Sequence, residues 1–173
     1  MHVLDPQKSF LTHESGNTHD QLSTVYNTLI PRGFLGWGNV SSLGFSLGAV
    51  VAAKLAYTDR HAVAVTGSRA GLYVPVRENL PITIVHISNG GFSGYGPGFW
   101  GEGHDPYTYK VMGSNEVNMP RAIAEFGYHT ERIDEPDQVT SALERALSAN
   151  DSGRSAYLEF IFSQFPVYGV WAR

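Results

Sequence analysis

The sequence predicts an α/β domain, a doubly wound and mostly parallel sheet with helices on both faces. Three observations predict it. Two short β-branched runs, Ala62-Val63-Ala64-Val65 and Ile82-Thr83-Ile84-Val85-His86-Ile87, are nearly continuous in apolar residues, as strands buried on both faces are. Strand-like and helix-like segments follow one another in the order β-α-α-β-β-α-β-α-β, the pattern of a layered α/β domain. Each of the two runs ends in small polar residues, Thr66-Gly67-Ser68 and Ser88-Asn89-Gly90-Gly91. Ligands of parallel α/β sheets bind beyond the carboxyl ends of the strands. The loops Gly67–Gly71 and Ser88–Gly91 are therefore expected to open on one edge.

Ser9–His13 reads as a short strand, and the polar turn Glu14-Ser15-Gly16-Asn17-Thr18 follows it. A helix is expected from about His19 to Leu29, with Leu22, Val25, Tyr26 and Leu29 on one face, and Pro31 ends it. Residues 31–42 read as irregular, with glycines at 33, 36 and 38. Gly44–Tyr57 has almost no polar face, which predicts a helix packed on both sides or under a sheet. Between the two apolar strands only residues 68 to 81 remain, with Pro75 among them, so that crossover should carry little or no helix. A Gly-rich and aromatic loop spans 89–113, a length more often functional than idle. A helix from about Val117 to Phe126 and a strand near Tyr128–Ile133 come next. Asp134-Glu135-Pro136-Asp137 then reads as a capped helix start, and Val139, Leu143 and Leu147 mark the inner face of a helix running to about Ala149. Ala156–Phe162 is the last strand.

No repeat or linker divides the 173 residues, which read as one domain. The net charge of −4 gives no reason to expect nucleic acid or an anionic membrane as partner. With no cysteine, thiolate chemistry and cysteine-bound zinc are excluded, and the seven histidines show no metal-ligand spacing. The most apolar run, Leu43–Tyr57, is interrupted by Lys54 and too short to span a bilayer, and the first residues lack the pattern of a signal peptide. A cytoplasmic protein is the expectation.

Three motifs could carry chemistry. In Gly67-Ser68-Arg69-Ala70-Gly71, small residues would let backbone N–H groups approach an anion, and Arg69 adds charge. Ser88-Asn89-Gly90-Gly91 offers oxygen ligands suited to a hard cation such as magnesium. Both could equally be plain turns. Gly44-Phe45-Ser46-Leu47-Gly48 fits the G-x-S-x-G nucleophile elbow, which would make Ser46 the nucleophile of an α/β serine hydrolase. The preceding GWGNVSSL makes a poor strand, and the elbow comes early for that fold.

The stretch GFLGWGNVSSLGFSLGAVVAAKLAYTDRHAVAVTG, continued by RENLPITIVHISNGG and DEPDQVTSALERAL, resembles the C-terminal, diphosphate-binding domain of thiamine diphosphate-dependent enzymes of the acetolactate synthase-like group. The resemblance runs from about Pro6 to Phe162. It implies thiamine diphosphate and Mg2+ as cofactors, a 2-oxo acid as substrate, and decarboxylation or carboligation, with the thiazolium of the cofactor as electron sink. It implies that Gly16, Asn17 and Thr18 touch the diphosphate, that the Ser41 carbonyl receives the aminopyrimidine amino group, and that Leu43 props the cofactor in its bent form. It places Gly67, Ser68 and Arg69 at the diphosphate, and Asn89 (side-chain oxygen) and Gly91 (carbonyl) on the metal. The aromatic loop Phe92–Tyr109, with His104 and Asp105, would lie where the family places substrate or lid contacts.

Two departures qualify what the resemblance implies. The family's metal-binding Asp is Ser68 here, and a neutral hydroxyl is a poor substitute for a carboxylate on magnesium, so cofactor binding is expected to be weakened. The family's catalytic glutamate belongs to a separate pyrimidine-binding domain that these residues do not contain. Glu14 and Glu78 read as charged turn or surface residues, and no catalytic residue is assigned. The chain is therefore expected to be inactive alone and to need a pyrimidine-binding domain or subunit in a homo- or hetero-oligomer. The competing reading is a non-catalytic assembly subunit with a degenerate cofactor site.

Overall fold

Strands that lack a polar face must be covered on both sides, and the chain achieves this with one parallel sheet. The structure is a computed structural model and describes residues 3–14, 22–36, 42–67, 71–89 and 117–162. The strands are β1 (Ser9–His13), β2 (Phe34–Leu35), β3 (His61–Thr66), β4 (Thr83–Ser88), β5 (His129–Ile133) and β6 (Ala156–Ile161). They form one six-stranded sheet in the order β2-β1-β3-β4-β6-β5, and every pairing is parallel. The helices are α1 (Phe45–Ala56), α2 (Tyr73–Arg77), α3 (Met119–Ala124) and α4 (Val139–Asp151).

Alternation along the strands assigns the two faces. Phe10, Ala62, Ala64, Ile82, Ile84 and Tyr157 lie under α1, which brings Leu47, Val50 and Ala53, and under Ile123 of α3. Leu11, Val63, Val65, Val85, Leu158 and Phe160 face the other way, onto Ala142 and Ala146 of α4. The expected doubly wound arrangement is thus present, with helices on both faces. After β1 the chain goes to β2 on one side, and α1 then carries it to β3 on the other. That reversal leaves a crevice between the carboxyl ends of β1 and β3, the place where such sheets bind ligands.

Several local expectations change. Of the helix expected over 19–29, the described part is helical only at 22–25. Leu22 and Tyr26 reach the core, whereas Val25 and Leu29 are 72% and 60% exposed. The Thr28 hydroxyl turns back on the chain and donates to the Ile30 carbonyl, a local bond that competes with helix. Residues 34–35, read as irregular, pair with β1 as a short edge strand. Helix α1 is covered on one side among the described residues: Leu55 and Ala52 on its outer face are exposed. In α4 the fully buried face is Ala142, Ala146 and Asn150, with Val139 and Leu143 at its flank, because small side chains let the helix lie close to the sheet. The Asp134–Asp137 start makes no side-chain cap; a 3₁₀ turn, Pro136–Gln138, leads into the helix instead. The crossover between β3 and β4 holds one short helix, α2, and its Pro75 falls in the first turn, where a missing N–H costs nothing.

Several polar groups buried in the frame are matched, while among the described residues Ser9 Oγ, the Tyr26 hydroxyl and Glu159 Oε2 make no hydrogen bond. Lys54 is only 7% exposed, and its Nζ donates to the carbonyls of Thr58 (2.9 Å) and Arg60 (2.7 Å), which fixes the turn into β3. Burial lowers its ammonium below the usual lysine range. The Tyr128 hydroxyl donates to the Leu72 carbonyl at 2.6 Å, and burial pushes this phenol up, so it stays a neutral donor. At the amino ends of the strands, the Asn150 side chain accepts from Thr83 Oγ1 (2.7 Å) and donates to the carbonyls of Ile82 (3.1 Å) and Arg154 (3.0 Å).

Two predictions follow from this frame. Asn150→Ala removes three hydrogen bonds and deprives the buried Thr83 hydroxyl of its acceptor, which should cost about 1–3 kcal/mol, read as a lower urea midpoint. Glu131 of β5 accepts from two guanidinium nitrogens of Arg145, Nε at 2.8 Å and Nη2 at 2.6 Å, and lies 2.7 Å from His129 Nε2. The Arg145 hydrogen bonds hold its carboxyl below the ordinary value of 4.5. A depressed carboxyl stabilises the fold above its unfolded pKa, and that stability is lost as pH falls through the folded value. Glu131→Gln should therefore be less stable than wild type at pH 7, and the gap should close as the medium is acidified below 4.5. Thermal melts across pH measure it.

Candidate functional site

Parallel pairing brings the ends of β1, β3 and β4 to one edge, with Thr66 opposite His86 in register. The two loops singled out from the sequence do leave the sheet side by side there. Between the ends of β1 and β3 sits Glu14, which is 1% exposed. This overturns its reading as a turn or surface residue. Glu78 does lie at the surface, where it pairs with Arg77 at 2.6 Å.

The Glu14 carboxylate is held by three elements. Its Oε1 accepts from the Gly44 N–H at the start of α1. Its Oε2 accepts from Thr66 Oγ1 at 2.6 Å and from the Gly67 N–H at 3.1 Å, both at the end of β3. Gly44 has φ +82, a conformation that favours glycine, and it caps α1 without a side-chain bond or an acidic residue in the first turn. Glu14 supplies from β1 the negative charge that a helix start favours.

Glu14 also begins a polar row across the sheet. On the same face, Thr66 stands opposite His86, His86 opposite Glu159, and Glu159 opposite Arg132. His86 Nδ1 and the Tyr157 hydroxyl share a hydrogen bond of 2.7 Å. Glu159 is 1% exposed and lies 3.7 Å from His86 Nδ1 and 3.6 Å from Arg132 Nε. A carboxylate this deep requires such neighbours. Sequence reasoning passed over this row. Its signal was a charged or ring-nitrogen residue inside otherwise apolar strands, as in ITIVHIS and AYLEFI.

Of the residues that the resemblance assigns to cofactor or metal, three are described. Leu43 precedes α1 and is 63% exposed. Gly67 follows β3, and at both Gly44 and Gly67 an added Cβ would meet nothing within 4 Å among the described residues. Asn89 follows β4 and is 9% exposed. Gly16, Asn17, Thr18, Ser41, Ser68, Arg69 and Gly91 lie outside the described residues, as does the Phe92–Tyr109 loop with His104 and Asp105. Among the described residues no three His, Asp or Glu side chains gather as a metal site. No described helix is long and apolar enough to cross a membrane.

Ser46 is not at an elbow. It lies inside α1, is fully buried, and its Oγ is 3.0 Å from Thr12 Oγ1. A nucleophile needs an exposed strand-to-helix turn, so the serine hydrolase reading is withdrawn. Glycines 44 and 48 flank it because one starts the helix and the other sits on its outer face.

A parallel sheet whose strand order reverses between β1 and β3, with a buried carboxyl group at that point, is the architecture of an α/β domain that binds ligands beyond its strand ends. The chain belongs to the family described as thiamine pyrophosphate enzyme, C-terminal TPP binding domain, whose model matches residues 14–160. It is 32% identical over 106 residues to 2-hydroxyacyl-CoA lyase 1 of Mus musculus, a stretch covering 55% of this chain and 18% of that protein. It is similar in fold to a 4-hydroxybenzoylformate decarboxylase, thiamine diphosphate-dependent, of Rhodococcus jostii RHA1. There the TM-score is 0.72 at 20% identity, over 93% of this chain and 30% of that one. A protein of Mycobacterium smegmatis assigned to the thiamin diphosphate-dependent enzymes gives 0.68 at 20% identity, over 95% and 30%. The chain thus spans less than a third of the length of each of these relatives.

Ser46→Ala should lower stability by about 1 kcal/mol through loss of the Thr12 contact. Ester hydrolysis assayed beside wild type should show no activity attributable to Ser46.

Proposed function

We propose that this chain is the diphosphate-binding part of an enzyme that decarboxylates or joins 2-oxo acids with thiamine diphosphate and magnesium. The observation that carries the reading is the family match over residues 14–160, which spans the edge where β1, β3 and β4 end. The described residues there fit the organic cofactor. Among the described residues Gly44 and Gly67 leave room for a ligand, and Leu43 offers an exposed apolar side chain against which a ring system could rest. The cofactor, when bound, supplies the electron sink for cleavage beside the 2-oxo carbon.

This chain's part is to bind and orient. Leu43 props the bent cofactor, and the Ser41 carbonyl accepts from its amino group. Gly16, Asn17 and Thr18 with Gly67, Ser68 and Arg69 hold the diphosphate. Asn89 offers its side-chain oxygen and Gly91 its carbonyl to magnesium. These donors are neutral, with Ser68 where the family has Asp, so the metal is held weakly. Arg69 compensates in part, because a guanidinium bonds phosphate oxygens directly. The acid that activates the aminopyrimidine comes from a pyrimidine-binding domain, on another subunit or another part of a longer polypeptide, and the chain alone is inactive. The two relatives whose printed names specify an activity are a lyase and a decarboxylase, which supports the reaction class.

Calorimetric titration of thiamine diphosphate, with and without magnesium, tests the reading. Binding is expected to be weak and strengthened by magnesium, and Asn89→Ala should weaken it by roughly tenfold, about 1.4 kcal/mol. Absence of binding in both conditions would overturn the reading in favour of a non-catalytic assembly subunit.

A further inference from the structure

We infer that Glu14 is a positioning residue: its single buried carboxylate locks the start of α1 to the end of β3 and so sets the spacing between Leu43 and the loop that begins at Gly67. The functional consequence rests on the cofactor reading above; the lock itself does not. Three facts lead to it. The start of α1 has no cap of its own and no acid in its first turn. The carboxylate that serves it comes from a residue thirty positions earlier. The same carboxylate takes a hydroxyl and an N–H from a third element.

Both oxygens are committed to donors of the chain itself. That suits a group that holds elements in place. At the two backbones it joins, Gly44 and Gly67, an added Cβ would meet nothing within 4 Å among the described residues, as is also true at Gly48, Gly127 and Gly153. Any ligand seated between them touches walls whose separation one side chain determines. Such walls do not have to be ordered when the ligand arrives, which is the source of affinity in a preorganised site.

The test compares Glu14→Gln with Asn150→Ala, which removes a buried hydrogen-bond cluster at the opposite ends of the strands. Both variants are checked for native circular dichroism, then titrated with thiamine diphosphate and magnesium. Amide exchange is followed at Gly44 and Gly67. Glu14→Gln is expected to weaken cofactor binding by roughly tenfold or more, while Asn150→Ala stays within about twofold of wild type. Exchange at both glycines should speed up in Glu14→Gln only. If Glu14→Gln does not fold, Glu14→Asp, which keeps the charge on a shorter arm, takes its place with the same two readouts. Wild-type affinity together with unchanged exchange at Gly44 and Gly67 would overturn the inference. If wild type itself binds no cofactor, the cofactor reading fails. The lock is then decided by exchange alone: selective loss of protection at the two glycines supports it, and equal protection in both variants overturns it.

Discussion

A carboxylate removed from water must be surrounded by donors, and at Glu14 the donors come from elements far apart in sequence. This requirement couples β1, β3 and α1 at the point where the strand order reverses. A hydroxyl and two backbone N–H groups converge because parallel pairing has already brought the ends of β1 and β3 together. In the low dielectric of a sheet end, each such bond is stronger than its counterpart at the surface, and each would be more costly to leave unmade. The charge therefore works as a fastener whose strength comes from its burial.

The polar row extends the same logic across the sheet. Apolar strands would pack more simply, yet His86, Glu159 and Arg132 stand side by side in adjacent strands on one face, with Tyr157 bonding His86 from nearer the amino end of its strand. Buried polar groups of this kind stabilise one arrangement among several similar ones when all their partners are present. Here the row is only partly satisfied, since Glu159 Oε2 makes no hydrogen bond among the described residues.

The fold was largely legible because burial on both faces leaves a plain mark on sequence. The runs around Val63 and Ile84 could be little else than central strands, and their small polar endings placed the two loops on one edge. What the sequence concealed was partnership. Nothing local distinguishes Glu14 from a solvated turn residue, since its three donors lie 30, 52 and 53 positions away. Ser46 shows the opposite error: the spacing suggested chemistry where the side chain serves packing beside Thr12. The α4 face was misplaced because periodicity favours large side chains, whereas the closest approach to the sheet is made by Ala142 and Ala146. Of the candidate site, the residues with family counterparts were legible by resemblance, while the anion that joins its walls was not.

The two borders of the sheet carry one more consequence. An exposed strand border invites pairing with another chain wherever it is long, flat and apolar. Here one border is β2, only two residues long. The other is β5, whose sequence HTERI brings two charged residues and a histidine, with Glu131 tied down by Arg145. Among the described residues, neither border presents a long, flat and apolar run on which a foreign strand could lengthen the sheet.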